Sequence, residues 1–446
     1  FESVTSLLRV AVGITRHWAS ACWRLLPNDF KLKSVYGVGR DWPFEYSELE
    51  PWYVKAEREI GVVGTGDEDQ SGQGRGHYPP RSADYPLPPE AKPYMVQRMQ
   101  SKLGPMGYQV IHEPHARVSR PYDGRPAFAG NNNCEPICPI GAMYSGDMHV
   151  DKAVALGAEL RTECVAWKLE KGAGNKIVAL TYRKPDGKDT RLTAKVFIIA
   201  AHGLETPKLL LMNDIANSSD QVGRNLMDHT GLSLTFLADE PLWTGRGSVQ
   251  HGTIANRRDE PSRAQHSAIR YSLRNLVPNV DVTVPLLRQG VMGQALDDAI
   301  RDRASRIMNI STMSETLPSP TNRIVPNYDR KDSIGLPMMK VDYHLDSYVR
   351  GMRPQAYKDF ANFLQAFNGE VIEAPTGWRN QYHIMGTVIM GDSPKDSVVD
   401  AHCRSWDHPN LFLATTGVMP PSATVNPTLT GIALAIRLAD TVAREV

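Results

Sequence analysis

The chain has 446 residues, of which 41% are hydrophobic, so we expect two or three interleaved domains rather than a single core. Lysine and arginine total 50 while aspartate and glutamate total 49, and this balance argues against a nucleic-acid or membrane-surface role set by bulk charge. No apolar run approaches the roughly 18 residues that a membrane-spanning helix needs.

The first 60 residues combine an unusual start with many aromatic side chains. The chain begins FESVTSLLRVAVGITRHW, without an initiator methionine, and Arg9 and Arg16 interrupt the apolar segment. This segment is therefore a poor signal peptide, and we expect a chain that was processed or cut from something longer. SELEPWYVKAEREIG predicts a helix with Ser47 as its N-cap and Gly61 as its stop.

The next segment, up to about Gly146, is predicted to be mostly loop. Residues 62–92 are too rich in glycine and proline for regular structure. Residues 93–104 are a predicted helix, and YQVIHEP is a predicted short strand. The loop that follows contains FAGNNNCEPICPIG, from Phe128 to Gly141, which joins three asparagines to a Cys-x-x-x-Cys pair.

The five cysteines are too few and too scattered for a disulfide framework. We expect Cys22, Cys164 and Cys403 to be ordinary buried residues. Cys134 and Cys138 suggest a metal or iron–sulfur site, but two thiols do not complete one. A zinc or iron module that adds His149 is a weak alternative, because no second cysteine pair exists.

From residue 147 the pattern becomes more regular. MHVDKAVALGAEL predicts an amphipathic helix, and LRTECVAWKLEK predicts a strand. KIVALTYRKPDGKDTRLTAKVFIIAA predicts a hairpin around PDGKD that returns into a fully apolar strand. GLETPKLLLMN predicts a helix with Thr206 as N-cap and Pro207 at the first helical position. This order is typical of a nucleotide-binding sheet.

Residues 230–375 are more strand-like, with helices near LDDAIRDRASRI and across RPQAYKDFANFLQAFNG. HPNLFLATTGVMP then predicts a buried strand, and NPTLTGIALAIRLADTVAREV a long amphipathic helix. His383 stands just before a Gly-Thr turn, and Asn426 stands at the start of that helix. Each is usually structural on its own, but the strand end between them favours a ligand site.

Several segments together resemble the glucose–methanol–choline (GMC) flavoprotein oxidoreductases. They are YHIMGTVIMGDS, HPNLFLATTGVMPPSATVNPTLTGIALAIRLAD, AAHGLETPKLLLMN and SDQVGRNLMDH, in matching order and spacing. RPYDGRP, GNNNC and CPIGAMYSG look like the large subunits of bacterial gluconate, fructose, sorbitol and FAD-dependent glucose dehydrogenases. The resemblance runs from about Arg9 to the C-terminus.

The resemblance implies a fold and a division into segments. It implies an α/β FAD-binding domain with an incomplete Rossmann-like sheet, interleaved with an α+β substrate-binding domain built on an antiparallel sheet. The expected FAD-binding segments are 1–30, 147–232 and 379–446, the last with the catalytic residues. Residues 31–146 would form a lid region with the CxxxC loop, and residues 233–378 the substrate-binding domain.

The resemblance also implies an activity, the oxidation of a CH–OH group of a sugar, polyol or sugar acid with FAD. The family has a histidine at the position of His383, which we expect to be the general base, since imidazole has a pKa near 6.5. The family has histidine or asparagine at the position of Asn426, whose amide would hold the substrate oxygen. Electrons would pass to an external cytochrome or quinone.

Other positions are implied as cofactor contacts. TECVAWK resembles the strand that meets the flavin adenine, AAHGLETP the segment near the ribose and diphosphate, and VGITRHW the flavin-side loop. The cofactor-binding residues expected on this basis are Val165, Ala201, Gly203, Thr15, His17, Trp18, Asn132, Asn426 and Thr428.

Two departures from the family pattern affect cofactor binding. No Gly-x-Gly-x-x-Gly follows a strand, so the unit that would hold the diphosphate is missing, and Val12 replaces the first glycine of the flavin-side loop. We therefore expect a fragment, a truncated gene product or one piece of a split enzyme. Phe128 and Ala129 stand where related glucose dehydrogenases have two cysteines that bind an iron–sulfur cluster, so an intact cluster is not expected.

The leading hypothesis is therefore the large subunit of an FAD-dependent sugar dehydrogenase with non-covalent FAD. A small escort subunit and a cytochrome c subunit would accompany it at the periplasmic face of the bacterial inner membrane, by family analogy. The alternative is a truncated, catalytically incompetent member or a non-catalytic subunit. Retention of His383 and Asn426 favours the first hypothesis, and loss of the dinucleotide fingerprint favours the second.

Overall fold

The computed structural model describes residues 13–134 and 137–445, so Val12 and the sequence before it lie outside the described residues. The α-helices of the described part are α1 (Leu32–Tyr36), α2 (Tyr46–Ile60), α3 (Tyr94–Leu103), α4 (Asp147–Ala155), α5 (His202–Met212), α6 (Asn279–Arg288), α7 (Gly293–Arg306), α8 (Ser347–Arg350), α9 (Arg353–Ala366) and α10 (Thr428–Ala443). The strands are β1 (Val110–His112), β2 (Val165–Lys171), β3 (Ile177–Arg183), β4 (Asp189–Thr193), β5 (Phe197–Ile199), β6 (Thr230–Gly231), β7 (Ser233–Leu237), β8 (Gln250–Arg257), β9 (Ile269–Arg274), β10 (Ile307–Ser314), β11 (Arg323–Lys331), β12 (Pro337–Asp342), β13 (Glu370–Glu373), β14 (Arg379–Asn380) and β15 (Leu411–Leu413). None of the helices described here is both long and apolar enough to cross a membrane.

The largest sheet is antiparallel and follows the order β1-β8-β9-β10-β6-β14, with β7 pairing both β10 and β13. Because side chains alternate along a strand, β10 directs Met308 and Ile310 into a hydrophobic cluster and Asn309 and Ser311 to the opposite face. Helices α3 and α9 cover the apolar face, since Met99 and Phe363 join the same cluster. The predicted antiparallel sheet is therefore confirmed, and its second face is polar.

Some strands of this sheet come from outside residues 233–378. β1 lies in the range predicted as the lid, and it pairs with β8. β6 and β14 lie in ranges predicted as FAD-binding, and they pair with each other. The sheet therefore links four of the expected segments, 31–146, 147–232, 233–378 and 379–446, while their exact boundaries stay a prediction.

The predicted nucleotide-binding sheet is present, within the described residues, only as the parallel pair of β5 and β15, with Leu411 opposite Phe197. The hairpin around PDGKD is formed by β3 and β4, but these strands pair with β2 in a separate antiparallel sheet. The sequence suggested that the hairpin and β5 belong to one sheet, but the structure places them in separate sheets. Ile198 in β5 is 47% exposed, as expected of a sheet that lacks neighbouring strands.

Helix α5 begins five residues earlier than predicted. It starts at His202, not after Thr206, and Pro207 lies inside it. A proline inside a helix leaves the carbonyl four residues before it without a partner. Here that carbonyl belongs to Gly203, and the hydroxyl of Thr387 donates to it at 2.6 Å. A tertiary contact thus replaces the missing helix bond.

Helix α2 also begins before its predicted cap. It starts at Tyr46, so Ser47 lies inside the first turn and makes no cap. Its predicted stop is confirmed, because Gly61 takes a left-handed conformation at φ 63. The hydroxyls of Tyr53 and Thr430, 2.8 Å apart, join α2 to α10.

A tight turn follows His383. Gly386 has φ 84, and a Cβ on it would lie 1.9 Å from the backbone oxygen of Asn225. The backbones of Met227 and Met385 exchange hydrogen bonds of 2.9 and 3.0 Å. The glycine therefore lets the chain around His383 lie directly against the chain around His229.

We expect Gly386→Ala to lower the free energy of unfolding by about 2–5 kcal/mol, because the new Cβ both strains the backbone and collides with a carbonyl oxygen. Gly187→Ala is the matched control: Gly187 has φ 81, but a Cβ on it would meet no described atom within 4 Å, so only the backbone strain applies. Thermal unfolding of both variants measures the difference. Equal losses would contradict the close approach at Gly386.

Candidate active site

The structure brings His383 and Asn426 into direct contact. The side-chain Nδ2 of Asn426 lies 3.1 Å from Nε2 of His383. His383 follows β14 and Asn426 precedes α10, so two separate loops supply the pair. Asn426 is buried and His383 half-buried. Two residues singled out in the sequence thus form one site.

A second histidine, His229, adjoins them and was not assigned from the sequence. Its Nδ1 lies 2.9 Å from Nδ1 of His383, and its Nε2 lies 2.9 Å from the carbonyl oxygen of Ala423. A carbonyl only accepts, so Nε2 of His229 carries its proton and Nδ1 its lone pair. His383 must then donate from Nδ1, which leaves the lone pair of His383 on Nε2.

Arg270 sets the orientation of the Asn426 amide. Its Nη2 donates to Oδ1 of Asn426 at 3.1 Å, and an arginine has only donors. The amide nitrogen of Asn426 therefore faces His383. Arg270 also donates to the backbone oxygen of Thr424 at 3.1 Å and to Oε2 of Glu113 at 3.3 Å. Hydrogen bonds are therefore donated in one direction, from Arg270 to Asn426 and from Asn426 to Nε2 of His383.

His383 is held in its neutral form. Burial, then His229 and then Arg270 together hold the pKa of His383 well below its ordinary value of 6.5. Burial also lowers the pKa of His229 to about 4. The pKa of His383 therefore lies below the ordinary imidazole value from which its role as general base was argued, and the role itself stays a prediction. At neutral pH the Nε2 lone pair is available.

Asp228 clamps the backbone at His383. Its carboxylate accepts the backbone N–H of His383 at 2.7 Å and that of Tyr382 at 3.1 Å. Burial raises the pKa of Asp228 to about 7, although these N–H groups favour the charged form. Asp228 and His229 are adjacent in the motif SDQVGRNLMDH, which marked the family but indicated no role for either residue.

The predicted flavin-side loop lies against the segment that leads into α4. Oγ1 of Thr15 accepts the backbone N–H of Gly146 at 3.1 Å, and Nε1 of Trp18 donates to the backbone oxygen of Tyr144 at 2.9 Å. His17, between them in sequence, is half-buried. Any cofactor contact of these three residues stays a prediction.

Ala201 and Gly203 lie at the start of α5, next to the His383 loop. A Cβ on Gly203 would be 2.8 Å from a side-chain carbon of Ile384, so the glycine permits this close packing. Val165 is the first residue of β2, on the separate three-stranded sheet. Thr428 is the first residue of α10, whose first-turn N–H groups lack partners within the helix.

Asn132 ties its loop to a distant part of the chain. Its Nδ2 donates to the backbone oxygens of Gly247 at 2.8 Å and Asn275 at 2.6 Å, and its Oδ1 accepts from the backbone N–H of Val277 at 3.2 Å. Its side-chain amide therefore holds the GNNNC loop against residues 247–277. Any cofactor contact of Asn132 stays a prediction.

The cysteines are all free thiols. Cys22 and Cys403 are buried as predicted, but Cys164 is only half-buried, because it lies in the exposed approach to β2. Cys134 is buried and Cys138 half-buried, and the two residues between Cys134 and Ile137 lie outside the described part. His149 is occupied elsewhere, at 2.9 Å from the hydroxyl of Tyr144 and 3.3 Å from Glu59.

Buried polar atoms at two predicted cofactor segments lack partners among the described residues. Beside Thr15, these are Oγ of Ser145 and Oδ1 of Asp147; at the start of α5, they are Nδ1 of His202 and Oγ1 of Thr206. Buried polar groups without partners usually mark a ligand, ion or water. These residues fit a polar cofactor such as FAD. The chain itself contains no glycine-rich diphosphate loop.

A cavity of about 910 Å³ opens on the polar face of the large sheet. Ser233, Thr235, Asn309 and Ser311 line it with hydroxyl and amide groups, and Tyr382, next to His383, closes one side. Hydroxyls and amides both donate and accept hydrogen bonds. The cavity thus has the chemistry to hold a polyhydroxylated molecule, and Gln381 and Tyr382 of its lining directly precede His383 in sequence.

Comparison with protein families and relatives gives consistent matches. Two family models, both described as GMC oxidoreductase, match residues 114–231 and 318–435. The fructose dehydrogenase large subunit of Gluconobacter japonicus is 43% identical over 441 residues, which is 97% of this chain and 80% of that protein. The gluconate 2-dehydrogenase flavoprotein of Pantoea cypripedii is 23% identical, over 93% of this chain and 76% of that protein.

Solved structures share the fold at low sequence identity. Pyridoxine 4-oxidase from Mesorbium loti matches with a TM-score of 0.65 at 17% identity, covering 98% of this chain and 84% of that chain. A formate oxidase variant from Aspergillus oryzae RIB40 matches with a TM-score of 0.66 at 13% identity, covering 99% and 85%. At this identity the likeness establishes the fold alone.

The hydrogen-bond chain makes a prediction about tautomers. In protein labelled with 15N-histidine, we expect His383 to be neutral with its proton on Nδ1 at pH 7, because Nδ1 faces the lone pair of His229. His229→Leu removes this acceptor and should shift His383 towards a mixture of tautomers. His229→Gln, which offers both an acceptor and a donor, is the control and should keep the Nδ1–H form. A wild-type Nε2–H form would refute the assignment.

Proposed function

The chain belongs to the GMC oxidoreductase family, and we propose that it oxidises a CH–OH group of a sugar, polyol or sugar acid with FAD. The observation that carries the proposal is the half-buried, neutral His383, whose Nε2 lone pair faces the Asn426 amide. Relatives named for fructose and gluconate dehydrogenation support the substrate class. A catalytically incompetent chain is not favoured, because relatives named as dehydrogenases align over 93–97% of this chain.

The proposed reaction begins with proton removal. The substrate hydroxyl replaces the Asn426 amide as the donor to Nε2 of His383, which then takes the hydroxyl proton. The freed Nδ2 of Asn426 donates to the substrate oxygen and stabilises the negative charge that develops there. FAD, when bound, supplies the acceptor for the hydride that leaves the substrate carbon.

The groups around His383 hold its ring in place after proton transfer and influence how readily it releases the proton. After proton transfer, Nδ1 of His383 still donates to neutral His229, so the ring keeps its position. The buried cation of Arg270 disfavours the imidazolium form of His383. We propose that this repulsion promotes release of the proton before the next cycle.

The cofactor contacts and the division into segments remain part of the proposal. Thr15, His17 and Trp18 would meet the flavin, Ala201 and Gly203 the ribose and diphosphate, and Val165 the adenine. The N-terminus of α10 at Thr428, together with Asn426, would face the flavin because its N–H groups attract negative charge. Residues 233–378 would bind substrate, and residues 31–146 would form the lid, as the sequence suggested.

We propose partners and a location from the name of a relative and by family analogy. The relative that is 43% identical is named as a large subunit, which supports assembly with other subunits. By family analogy these would be a small escort subunit and a cytochrome c subunit, and electrons would leave to a cytochrome or quinone. The same analogy would put the protein at the periplasmic face of the inner membrane. An iron–sulfur cluster remains unexpected, since only Cys134 and Cys138 are present in the loop.

Loss of the base tests the proposal. The purified chain supplied with FAD should show a flavin band at about 450 nm and reduce a dye in the presence of fructose, gluconate, sorbitol or glucose. His383→Ala should lower the rate by roughly 10²–10⁴-fold while the flavin band persists, because only the base is lost. A much smaller loss would mean that another group is the base. If the chain shows neither a flavin band nor dye reduction with any of these substrates, the proposed activity is wrong for this chain.

The pH dependence of kcat/KM should reveal the protonation of Asp228. We expect kcat/KM to fall as pH drops below about 7, because protonated Asp228 can no longer accept both backbone N–H groups at residues 382–383. His383 is not expected to set this limb, since its pKa lies well below 6.5. Asp228→Asn should lower the plateau and abolish the limb. A limb that persists unchanged in this variant would assign it to another group.

A further inference from the structure

A group of side chains of the types that ligate metal ions lies outside the site described above. It joins Glu90, from the long loop of residues 62–92, to His112 at the end of β1 and His115 just after it. One ligand atom from each of the three lies within 4.8 Å of the other two. The ring of His251, in the neighbouring strand β8, is centred 4.8 Å from that of His112.

The three histidines are buried and Glu90 is partly exposed, and many of their polar atoms lack hydrogen-bond partners among the described residues. His112, His115 and His251 are 3%, 0% and 1% exposed. Both ring nitrogens of His112 and of His251, Nε2 of His115 and both carboxylate oxygens of Glu90 have no aligned partner in the part of the chain that the structure describes. Nε2 of His115 lies 3.2 Å from Oε2 of Glu90, at ion-pair distance but without hydrogen-bond alignment. Buried polar atoms in such numbers need an ion or water among them.

We propose that Glu90, His112 and His115, with His251 beside them, bind a divalent transition-metal ion, and that this ion is zinc. Imidazole nitrogens and a carboxylate oxygen are ligands that zinc takes in tetrahedral sites. The set offers three ligands, with the ring of His251 beside them, and only Glu90 is partly exposed, which is more typical of a structural than of a catalytic ion.

The free ring nitrogens of the cluster suit ligation. Zinc binds a neutral imidazole through the lone pair of one ring nitrogen, and both ring nitrogens of His112 and of His251 have no aligned partner among the described residues. Two cations nearby are occupied elsewhere. Arg117 donates to the backbone oxygen of Ala19 and to Oγ of Ser20, and Lys92 pairs with Glu68 at 3.3 Å.

His115 requires one adjustment. Its Nδ1 now accepts the backbone N–H of Arg117 at 3.3 Å, the long end of a hydrogen bond. Ligation through Nε2 would put the proton on Nδ1, so the hydrogen bond from the Arg117 N–H would be lost. A ligating histidine usually donates its second N–H to a carbonyl, a carboxylate or water.

The ion would tie the long loop to the edge of the large sheet. Glu113 lies between His112 and His115 in sequence, and its carboxylate holds Arg270, which orients Asn426. The ion therefore supports the sheet edge from which the Arg270 chain starts. It is separate from the cysteine loop, because neither Cys134 nor Cys138 belongs to the cluster.

Metal content tests the proposal directly. The chain is purified without a histidine tag from zinc-supplemented medium and dialysed against metal-free buffer, and we expect about one equivalent of zinc by elemental analysis. His112→Gln and Glu90→Gln should each lose most of this zinc. His402→Gln, at an exposed histidine, and Cys134→Ser are controls and should retain it.

A second measurement covers variants that fail to fold. Removal of the ion from the unmodified chain with EDTA should lower Tm by several degrees, and ZnSO4 but not MgSO4 should restore it. Cobalt in place of zinc should give visible bands of a four-coordinate site. A chain that holds less than about a tenth of an equivalent of any transition metal, with a Tm that does not respond to zinc, would overturn the proposal. The cluster would then hold buried water only.

Discussion

The buried guanidinium of Arg270 is the interaction on which the proposed active site depends. Arg270 is 1% exposed, and a buried cation is tolerated only when carboxylates and hydrogen-bond acceptors surround it. Glu113 from the end of β1, Thr424 from the C-terminal loop and Asn426 supply these acceptors. The cation therefore connects the large sheet to the C-terminal loop, and its demand for an acceptor turns the Asn426 amide towards His383.

His383 is fixed from several directions. Asp228 holds its backbone N–H, His229 accepts from its Nδ1, and Gly386 lets the following turn lie against the chain that carries both residues. A base held in one tautomer and one orientation before the substrate arrives needs little reorganisation during the reaction. The short loop after β14 therefore acts as a rigid element, although it contains no regular structure.

The large sheet serves two purposes with its two faces. Its apolar face packs against α3 and α9, while its polar face carries Arg270 and lines the cavity beside Tyr382. The alternation of side chains along each strand makes this division possible, because successive residues of one strand point to opposite faces. One set of residues packs in the core, and the other set forms the polar surface. The proposed ion would strengthen the β1–β8 edge of that sheet.

Features that depend on near neighbours in the chain could be predicted from the sequence alone. Apolar periodicity predicted α3, α7, α9 and α10, the turn signal predicted the β3–β4 hairpin, and the motifs singled out His383 and Asn426. The start of α5 at His202 could not be predicted in this way, because the hydroxyl that satisfies its proline-exposed carbonyl comes from Thr387. Folding also brings His229 to His383 and Arg270 to Asn426, across 154 and 156 residues of chain. The tautomer and the pKa of a buried base depend on the groups that surround it in space, and local sequence patterns carry no information about those groups.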